Sequence, residues 1–507
     1  MRSWSLRRWI HLLGAAALVA YLSMTLLSYV QAPTLWQGEH APRAQAFFES
    51  LAGSLSITPT PRLADGSAAV IATCFPPLAV ASAVTLAILL LLIHRRGQVD
   101  ATLPRILLGW ALAFGAACFP AFPVFTQDFW LSVAWGRMIA AGVNPYYTAF
   151  TPDSLAGLPL DHFPMAMSYG PLWGLLSAGI VVVSGGSVLA AAILFKLVLG
   201  AAWAGTLVLV DKITRTGPVP DRCLAIVVFG WTPLSATQSL GEGHNDIMMA
   251  LLITLWLYLL LRGRRWTPPI ALIVSVVCKF TTAPLFLLDA AFLLRRTGAA
   301  VAPSVVRYAV RLVIPVIIGL TVVLLFYRSF RFFDGINLIR GWEFLQPADA
   351  VEAVEEFVGF SLMPLTVAVI AFFPVVALYW LVATVGSFST ERILRANLAV
   401  MAAVLFSAVP HLWSWYLVWV LAPAALAPGW WLSRFVMGTA IMTPFTVAFW
   451  WIEPLSGHQE PAALTVYVGA LIWMYVTRPP STVTSDAGVT SASLWGGGVR
   501  VPGSSDR

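Results

Sequence analysis

Residues 69–94 read AVIATCFPPLAVASAVTLAILLLLIH and contain no Asp, Glu, Lys or Arg. About 20 apolar residues are enough to cross the hydrocarbon core of a bilayer, so this run predicts a transmembrane helix. Arg95 and Arg96 follow it directly. Long apolar runs that end in basic residues recur along the chain. The pattern predicts an all-α, polytopic transmembrane helix bundle.

The composition supports a membrane location. Of the 507 residues, 59% are hydrophobic and 10% are charged, whereas soluble domains carry about 25% charged residues. The mean hydropathy is +0.82. A soluble core could not bury this much apolar surface, so the expected surroundings are the lipid bilayer. The net charge of +7 comes from basic residues at the ends of apolar runs, which is the positive-inside pattern, and no nucleic-acid partner is expected.

About fourteen apolar segments are candidate spans by length. They are 9–30, 69–94, 106–125, 170–184, 187–210, 223–240, 246–261, 268–294, 312–327, 361–386, 396–410, 416–433, 435–452 and 462–477. We expect residues 1–478 to form one multi-span domain. Residues 479–507 are rich in Pro, Ser, Thr and Gly and predict a disordered tail.

The distribution of Lys and Arg in the short loops predicts a multi-pass plasma-membrane protein with both termini in the cytoplasm. The long loop 126–169 then lies on the outer face. For the basic loop at Arg262 to be cytoplasmic, either 170–184 or 223–240 must be re-entrant. A second irregularity is the polar break CKFTTAP at 278–284, inside the apolar segment 268–294. Irregular backbone at membrane depth persists where it lines a cavity or is buried in protein, so the break marks a candidate site.

The outer loop opens with Asp128 at the end of an apolar span. Partial desolvation there would raise the pKa of the carboxyl and make it a better base. Residues 129–141 predict a short interfacial helix anchored by Phe129 and Trp130, which Asn144-Pro145 would end. The alternative role for Asp128 is a helix N-cap. Arg137 lies about two and a half turns further along, on the opposite helix face.

Other polar residues stand at the ends of apolar runs. Glu242-Gly243-His244-Asn245-Asp246 precedes a membrane helix; capping would explain Asn245 or Asp246, but not the neighbouring His. This set offers the donors and acceptors that sugar hydroxyls need. Lys279 lies mid-membrane in the break, either snorkelling or paired with an anion such as a phosphate.

The motifs resemble, in this order, those of the polytopic GT-C glycosyltransferases. The similarity is greatest to bacterial polyprenol-phosphate-mannose-dependent α-mannosyltransferases of the actinobacterial lipoglycan type. The matching motifs are Asp128, Gly136-Arg137, Gly142-Val143-Asn144-Pro145-Tyr146, Tyr169-Gly170-Pro171-Leu172, Gly243-His244-Asn245-Asp246, Lys279 and Trp415-Tyr416-Leu417-Val418-Trp419. The chain departs from the family at Ser414, where proline is usual, and in lacking an Asp-x-Asp motif.

The resemblance implies transfer of a sugar, with mannose expected, from a polyprenyl-phosphate donor to a glycan or lipoglycan acceptor on the outer face. Asp128 would be the catalytic base of an inverting reaction. The implied substrate-binding residues are Arg137, Asn144, Tyr169, His244, Asn245, Asp246, Lys279, His411, Trp415 and Tyr416. No cofactor and no metal ligands are expected, although the missing Asp-x-Asp leaves metal dependence open.

Two other classes of function fit parts of the pattern. A transporter or flippase for a lipid-linked substrate would explain the broken helix and Lys279, but explains Asp128 and the long outer loop less well. A surface-polysaccharide polymerase or ligase would share the outer-face chemistry. Transfer from labelled mannosyl phosphopolyprenol distinguishes these classes.

Overall fold

The structure, a computed structural model, describes the following parts of the chain: residues 5–35, 66–123, 127–158, 160, 167–264, 266–296, 301–326, 346–386, 389–409, 412–446 and 459–478. These parts are helices joined by turns and short loops, and no β-strand occurs among them. The all-α prediction is confirmed. His411, residues 328–345 and the tail 479–507 lie outside the described residues.

The longer helices are, in chain order, α1 Leu6–Leu35, α2 Gly66–His94, α3 Leu103–Cys118, α4 Asp128–Ala140, α5 Pro171–Val183, α6 Val188–Thr214, α7 Val219–Gly230, α8 Asp246–Leu261, α9 Thr267–Cys278, α10 Leu285–Arg296, α11 Val301–Phe326, α12 Pro347–Val358, α13 Met363–Gly386, α14 Thr390–Ala403, α15 Val418–Leu426, α16 Trp431–Met442 and α17 Gln459–Val476. Shorter helical turns are Arg96–Gln98, Pro152–Leu155, Pro233–Ala236, Thr237–Gly241, Phe280–Thr282, Val404–Ala408, Ser414–Leu417 and Thr443–Thr446.

Within the described ranges, five helices are long and apolar enough to cross a membrane: Leu6–Tyr29, Pro76–His94, Val188–Thr214, Val306–Leu324 and Met363–Gly386. A sixth candidate is the pair Val219–Gly230 and Pro233–Gly241, bent by 52°. The bundle is therefore polytopic, as predicted. Many other apolar segments form helices too short to cross a bilayer of about 30 Å alone.

At the centre of the bundle, α15 packs against both α7 and α8. Every residue of α15 is buried, as expected for a helix that is apolar on all sides and surrounded by protein. By contrast, α13 exposes large apolar side chains such as Val375, Leu378 and Val382, which is the pattern of a lipid-facing helix. Hydropathy alone does not separate these cases. In the described residues of the predicted spans 416–433 and 435–452, the longer helices are α15 and α16, with the helical turns Ser414–Leu417 and Thr443–Thr446 next to them.

Helices α5 and α6 both contact the part of the bundle around Asp128. Tyr169, just before α5, bonds to Asp128. Lys196, in the third turn of α6, bonds to the carbonyls of Ala121 and Gly241. The segment 223–240 is the bent pair, which is either a broken span or a re-entrant loop. That 170–184 or 223–240 is re-entrant therefore stays a prediction.

The predicted break in 268–294 is confirmed. Helix α9 ends at Cys278, and Lys279 adopts an extended conformation with φ −154° and ψ 118°. Lys279 pairs with Asp246 at the start of α8. Ten residues further along each segment, Trp256 donates to Asp289 over 3.0 Å. Because the two contacts advance together, α10 returns alongside α8, which is the helix, break and returning helix that the sequence indicates.

The outer-loop helix predicted at 129–141 is α4, Asp128–Ala140, but its anchors were wrongly assigned. Phe129 and Trp130 are each only 1% exposed and pack inside the protein. Close packing with α5 explains this burial. A Cβ on Gly136 would lie 2.6 Å from the Ser177 carbonyl oxygen, so the two helix backbones are nearly in contact.

Gly136→Ala should therefore destabilise the fold, because its added methyl group meets main-chain atoms that cannot rotate away. Overpacking of this kind costs about 1–3 kcal/mol. The matched control is Gly179→Ala in α5, where a Cβ meets nothing within 4 Å, and where alanine favours the helix by about 1 kcal/mol. Thermal melting in detergent compares the two. Equal melting temperatures for both variants would contradict the close approach of α4 and α5.

Candidate active site

Asp128 is the first residue of α4, and Gln127 occupies the N-cap position without a side-chain capping bond. The Asp128 carboxylate instead faces two residues from distant parts of the chain. Tyr169 donates its hydroxyl to Oδ2 over 2.8 Å, and His244 Nδ1 lies 3.5 Å from the same oxygen. The Asp128 side chain is 27% exposed and that of His244 only 1%. A small molecule can therefore reach a carboxylate held from behind by buried groups.

The surroundings of Asp128 act on its pKa in opposite directions. Burial raises the pKa, while hydrogen bonding and charge from His244, the Tyr169 hydroxyl and the charge of Lys279 lower it. The net effect holds the pKa below its usual value. The predicted rise in pKa is thus wrong, because desolvation is outweighed by donors that the sequence did not reveal. Asp128 is accordingly ionised at neutral pH.

Gly243 allows His244 to reach Asp128. Gly243 has φ +74°, a conformation that residues with a Cβ rarely adopt. A Cβ there would also lie 2.4 Å from Phe129 Cδ2. His244 stacks on Trp415 with ring centroids 4.1 Å apart and planes 12° apart. The stack fixes the plane of the imidazole ring.

Tyr169 is held by its neighbours along the chain. The Gly170 amide donates to the Cys278 carbonyl over 2.9 Å, and a Cβ on Gly170 would lie 2.0 Å from the Val277 carbonyl oxygen. Only glycine permits this approach of the Tyr169 segment to the break after α9. The Tyr146 hydroxyl donates to the Tyr169 carbonyl over 2.8 Å. Asp128 and the broken helix are thereby joined.

Lys279 occupies a cage of aromatic rings closed by a carboxylate. Its Nζ lies 2.6 Å from Asp246 Oδ1. The ammonium is 5.3 Å from the Tyr169 ring centroid, 4.6 Å from that of Tyr416 and 4.7 Å from that of Trp419. Trp419 Nε1 also donates to Asp246 Oδ1. The Lys279 side chain is 12% exposed and that of Asp246 is fully buried, so Lys279 does not snorkel to water.

Several buried polar atoms around this site have no hydrogen-bond partner among the described residues. They are Gln238 Oε1, His244 Nε2, Asn245 Oδ1 and Asp246 Oδ2. Buried polar groups in proteins are nearly always hydrogen-bonded, to protein or to a bound molecule. Three of these atoms are oxygen acceptors, and the imidazole nitrogen can accept or donate, so the set is suited to a ligand rich in hydroxyl groups, which supply the donors.

The structure brings together most of the residues singled out in the sequence: Asp128, Tyr169, His244, Asn245, Asp246, Lys279, Trp415 and Tyr416. Asn245 takes the N-cap position of α8, but its side chain makes no capping bond. Capping therefore does not account for the polar stretch at the start of α8, and the assignment of its residues to substrate stays a prediction.

Arg137 and Asn144 lie elsewhere. Arg137 donates to the carbonyls of Ser154 and Ala156, the latter over 2.6 Å, about 13 Å along the helix axis from Asp128. Asn144 Oδ1 accepts from the Tyr146 amide over 3.0 Å and so shapes the turn that carries Tyr146 to Tyr169. Asn144 acts on the site through Tyr146, and no contact joins Arg137 to Asp128 in the described part of the chain.

Two residues of the site were missed by sequence reasoning. Trp419 was overlooked because 22 tryptophans make any one of them a weak signal; its spacing one turn after Tyr416 places both rings on one helix face. Lys196 lies deep in an apolar helix, a position where a charged residue is by default a functional candidate. Either signal was available in the sequence.

No group of three or more His, Cys, Asp or Glu side chains among the described residues is arranged to hold a metal ion. The free cysteines Cys118, Cys223 and Cys278 are each buried. The carboxylates Asp128 and Asp246 face His244 and Lys279 respectively. An imidazole that can donate a hydrogen bond and a lysine cation are partners suited to a site that binds anions and hydroxyl groups.

Comparison with known proteins gave one family match. The sequence profile described as alpha-(1->6)-mannopyranosyltransferase, N-terminal domain (MptA_B family) matches residues 53–311. A search of curated proteins found no match. The matched part is just over half of the chain and contains Asp128, Tyr169, His244, Asp246 and Lys279. The chain belongs to the MptA_B family of alpha-(1->6)-mannopyranosyltransferases.

Proposed function

We propose that this membrane glycosyltransferase moves mannose from a polyprenyl-phosphate donor to a glycan or lipoglycan acceptor, forming an α-(1→6) linkage. Family membership supports mannosyl transfer. The observation that carries the catalytic part is the environment of Asp128. A partly exposed carboxylate, kept ionised by Tyr169 and His244, faces a caged cation and unpaired polar atoms.

The proposed reaction is a single displacement. Asp128 takes the proton of an acceptor hydroxyl while the oxygen of that hydroxyl attacks the anomeric carbon of a β-linked mannosyl phosphate. The bond from that carbon to the phosphate oxygen breaks, and its electron pair leaves with the lipid phosphate. The product is an α-mannoside. General-base assistance contributes about 10²–10⁴-fold to such a step.

Lys279 is the cation best placed to stabilise the leaving phosphate. It lies in the break between two half-length helices and, like Asp128, contacts Tyr169, so its charge is close to the proposed base. Fixed charges aimed at a developing anion are a large source of rate enhancement. The unpaired atoms of His244, Asn245 and Asp246 would bind sugar hydroxyls, since these supply the donors and acceptors that the protein leaves unused.

The distribution of charge supports an outer-face site in the plasma membrane, with both termini in the cytoplasm. Asp211 at the end of α6 accepts from Arg222 at the start of α7 over 2.6 Å. Arg96 pairs with Asp221, and α8 ends at Arg262. These basic loops mark one end of the bundle, which is cytoplasmic by the positive-inside rule. Asp128 and the start of α8 lie at the other end.

The first test measures transfer from radiolabelled mannosyl phosphopolyprenol by purified protein in bilayers. Asp128→Asn keeps the size of the side chain but cannot accept a proton, so turnover should fall by about 10²-fold or more. The melting temperature should stay near that of the wild type.

The same transfer assay in EDTA should give unchanged rates, because the mechanism assigns no role to a metal.

Asp153→Asn, in the outer loop, is the matched control and should transfer mannose at the wild-type rate. An active Asp128→Asn enzyme would exclude Asp128 as the base. Substrate translocation without a glycosylated product would favour the transporter.

A second test concerns Lys279. Lys279→Met alone leaves the buried Asp246 carboxylate unpaired, which costs about 3–5 kcal/mol. The informative comparison is therefore between Asp246→Asn and the double variant Asp246→Asn/Lys279→Met. If Lys279 stabilises the phosphate, the double variant should transfer mannose about 10²-fold more slowly than Asp246→Asn. Equal rates, with both proteins folded, would assign Lys279 a purely structural role.

A third test uses pH. His244→Phe keeps an aromatic ring on Trp415 but removes the group that stabilises the Asp128 carboxylate. Loss of that group raises the pKa of Asp128, so the base is protonated at higher pH. The acid limb of kcat/KM should move upward by about one pH unit. Tyr169→Phe removes the other donor and should move the limb in the same direction. An unmoved limb in both variants would show that Asp128 does not set it.

A further inference from the structure

Lys196 is a buried cation that the proposed mechanism does not use. It lies within the apolar helix α6 and is only 6% exposed. Its Nζ donates to the carbonyl of Ala121 over 2.9 Å and to the carbonyls of Leu240 and Gly241. An ammonium has three N–H donors, so all of them have partners. The side chain crosses to other segments instead of reaching for water.

The three carbonyls belong to the two segments that lead into the site. Ala121 lies seven residues before Asp128, and Leu240 and Gly241 are in the π-helical turn Thr237–Gly241 that leads to His244. One ammonium therefore connects the chain that precedes Asp128 with the chain that precedes its histidine partner.

Phe129 completes the connection. Its ring centroid lies 5.7 Å from Lys196 Nζ, and the ring packs against Gly243, where a Cβ would be 2.4 Å away. Phe129 directly follows Asp128, and Gly243 directly precedes His244. Asp128 and His244 are thus both supported by the contact between Phe129 and Gly243, and Lys196 lies against the Phe129 ring of that contact.

General stabilisation of the bundle is the simpler role for such a lysine. Lys196 also has the buried Glu242 carboxylate as a charged neighbour. However, an ammonium that only stabilised the bundle would not need to donate both to Ala121, which precedes Asp128, and to Leu240 and Gly241, which precede His244. A displacement of about 1 Å at a reacting group can cost about 10²-fold in rate, and the 3.5 Å separation of His244 and Asp128 is sensitive to the position of either segment.

On the basis of the proposed function, we propose that Lys196 is a positioning residue that holds His244 against Asp128. Lys196→Met and Lys196→Gln should lower kcat about 10- to 100-fold and leave the donor KM unchanged. Lys212→Met, on the exposed end of the same helix, is the matched control and should have wild-type kinetics.

A double-mutant cycle separates positioning from general stabilisation. If Lys196 acts through His244, Lys196→Met should have little further effect on kcat, or on the acid limb of kcat/KM, in a His244→Phe background. Multiplicative effects of the two changes would overturn the proposal. So would failure of both Lys196→Met and Lys196→Gln to fold, since that would make Lys196 a stabilising residue.

A measurement without substrate keeps this inference separate from the proposed function. In protein labelled with ¹⁵N-histidine in bilayers, the His244 resonances are those absent from His244→Phe. Magic-angle-spinning NMR should show them shifted in Lys196→Met and unchanged in Lys212→Met. Unshifted His244 resonances in Lys196→Met would overturn the inference even if transfer is confirmed, and shifted ones would support it even if Asp128→Asn proved active.

Discussion

The buried pair of Lys279 and Asp246 constrains the rest of the site. Neither charge is tolerated alone inside an apolar bundle, and breaking such a pair is strongly destabilising. Pairing requires that α9 end at Lys279, that α8 begin at Asp246, and that Trp419 of α15 approach closely enough to donate to the same carboxylate. Three segments far apart in sequence are thereby fixed at one depth, and Tyr169 is drawn to it by the Gly170–Cys278 bond.

Sequence reasoning found the elements of this site because each stands out locally. A lysine in a 27-residue apolar segment, or a histidine next to an amide and near two acids at a helix start, contradicts its surroundings and so attracts attention. What could not be derived is which of them meet. The bond of Tyr169 to Asp128 depends on the break after α9 and on Gly170, both distant from Asp128 along the chain.

The errors of the sequence analysis share one physical cause. Phe129 and Trp130 are aromatic residues at the end of a span, where a lipid interface and a protein interior favour the same composition. The sequence of α15 likewise predicts a lipid-exposed membrane span, whereas protein surrounds this helix. For Asp128, only partners brought by the tertiary fold determine that the pKa falls instead of rising. Local composition shows how polar a segment is. Whether the segment faces lipid or protein, and in which direction the pKa of a side chain shifts, depends on the neighbours that the tertiary fold supplies.

The lowered pKa of Asp128 is compatible with a role as base. A carboxylate that is ionised before substrate arrives needs no prior deprotonation, and the donors that hold it are already in place. Its reduced basicity is offset if the proton moves only as the glycosidic bond breaks, when the acceptor hydroxyl becomes far more acidic. In such a step the leaving phosphate provides much of the driving force. In the proposed reaction the cation therefore matters as much as the base, and one aromatic residue supports both: Tyr169 contacts Asp128 and Lys279 at once.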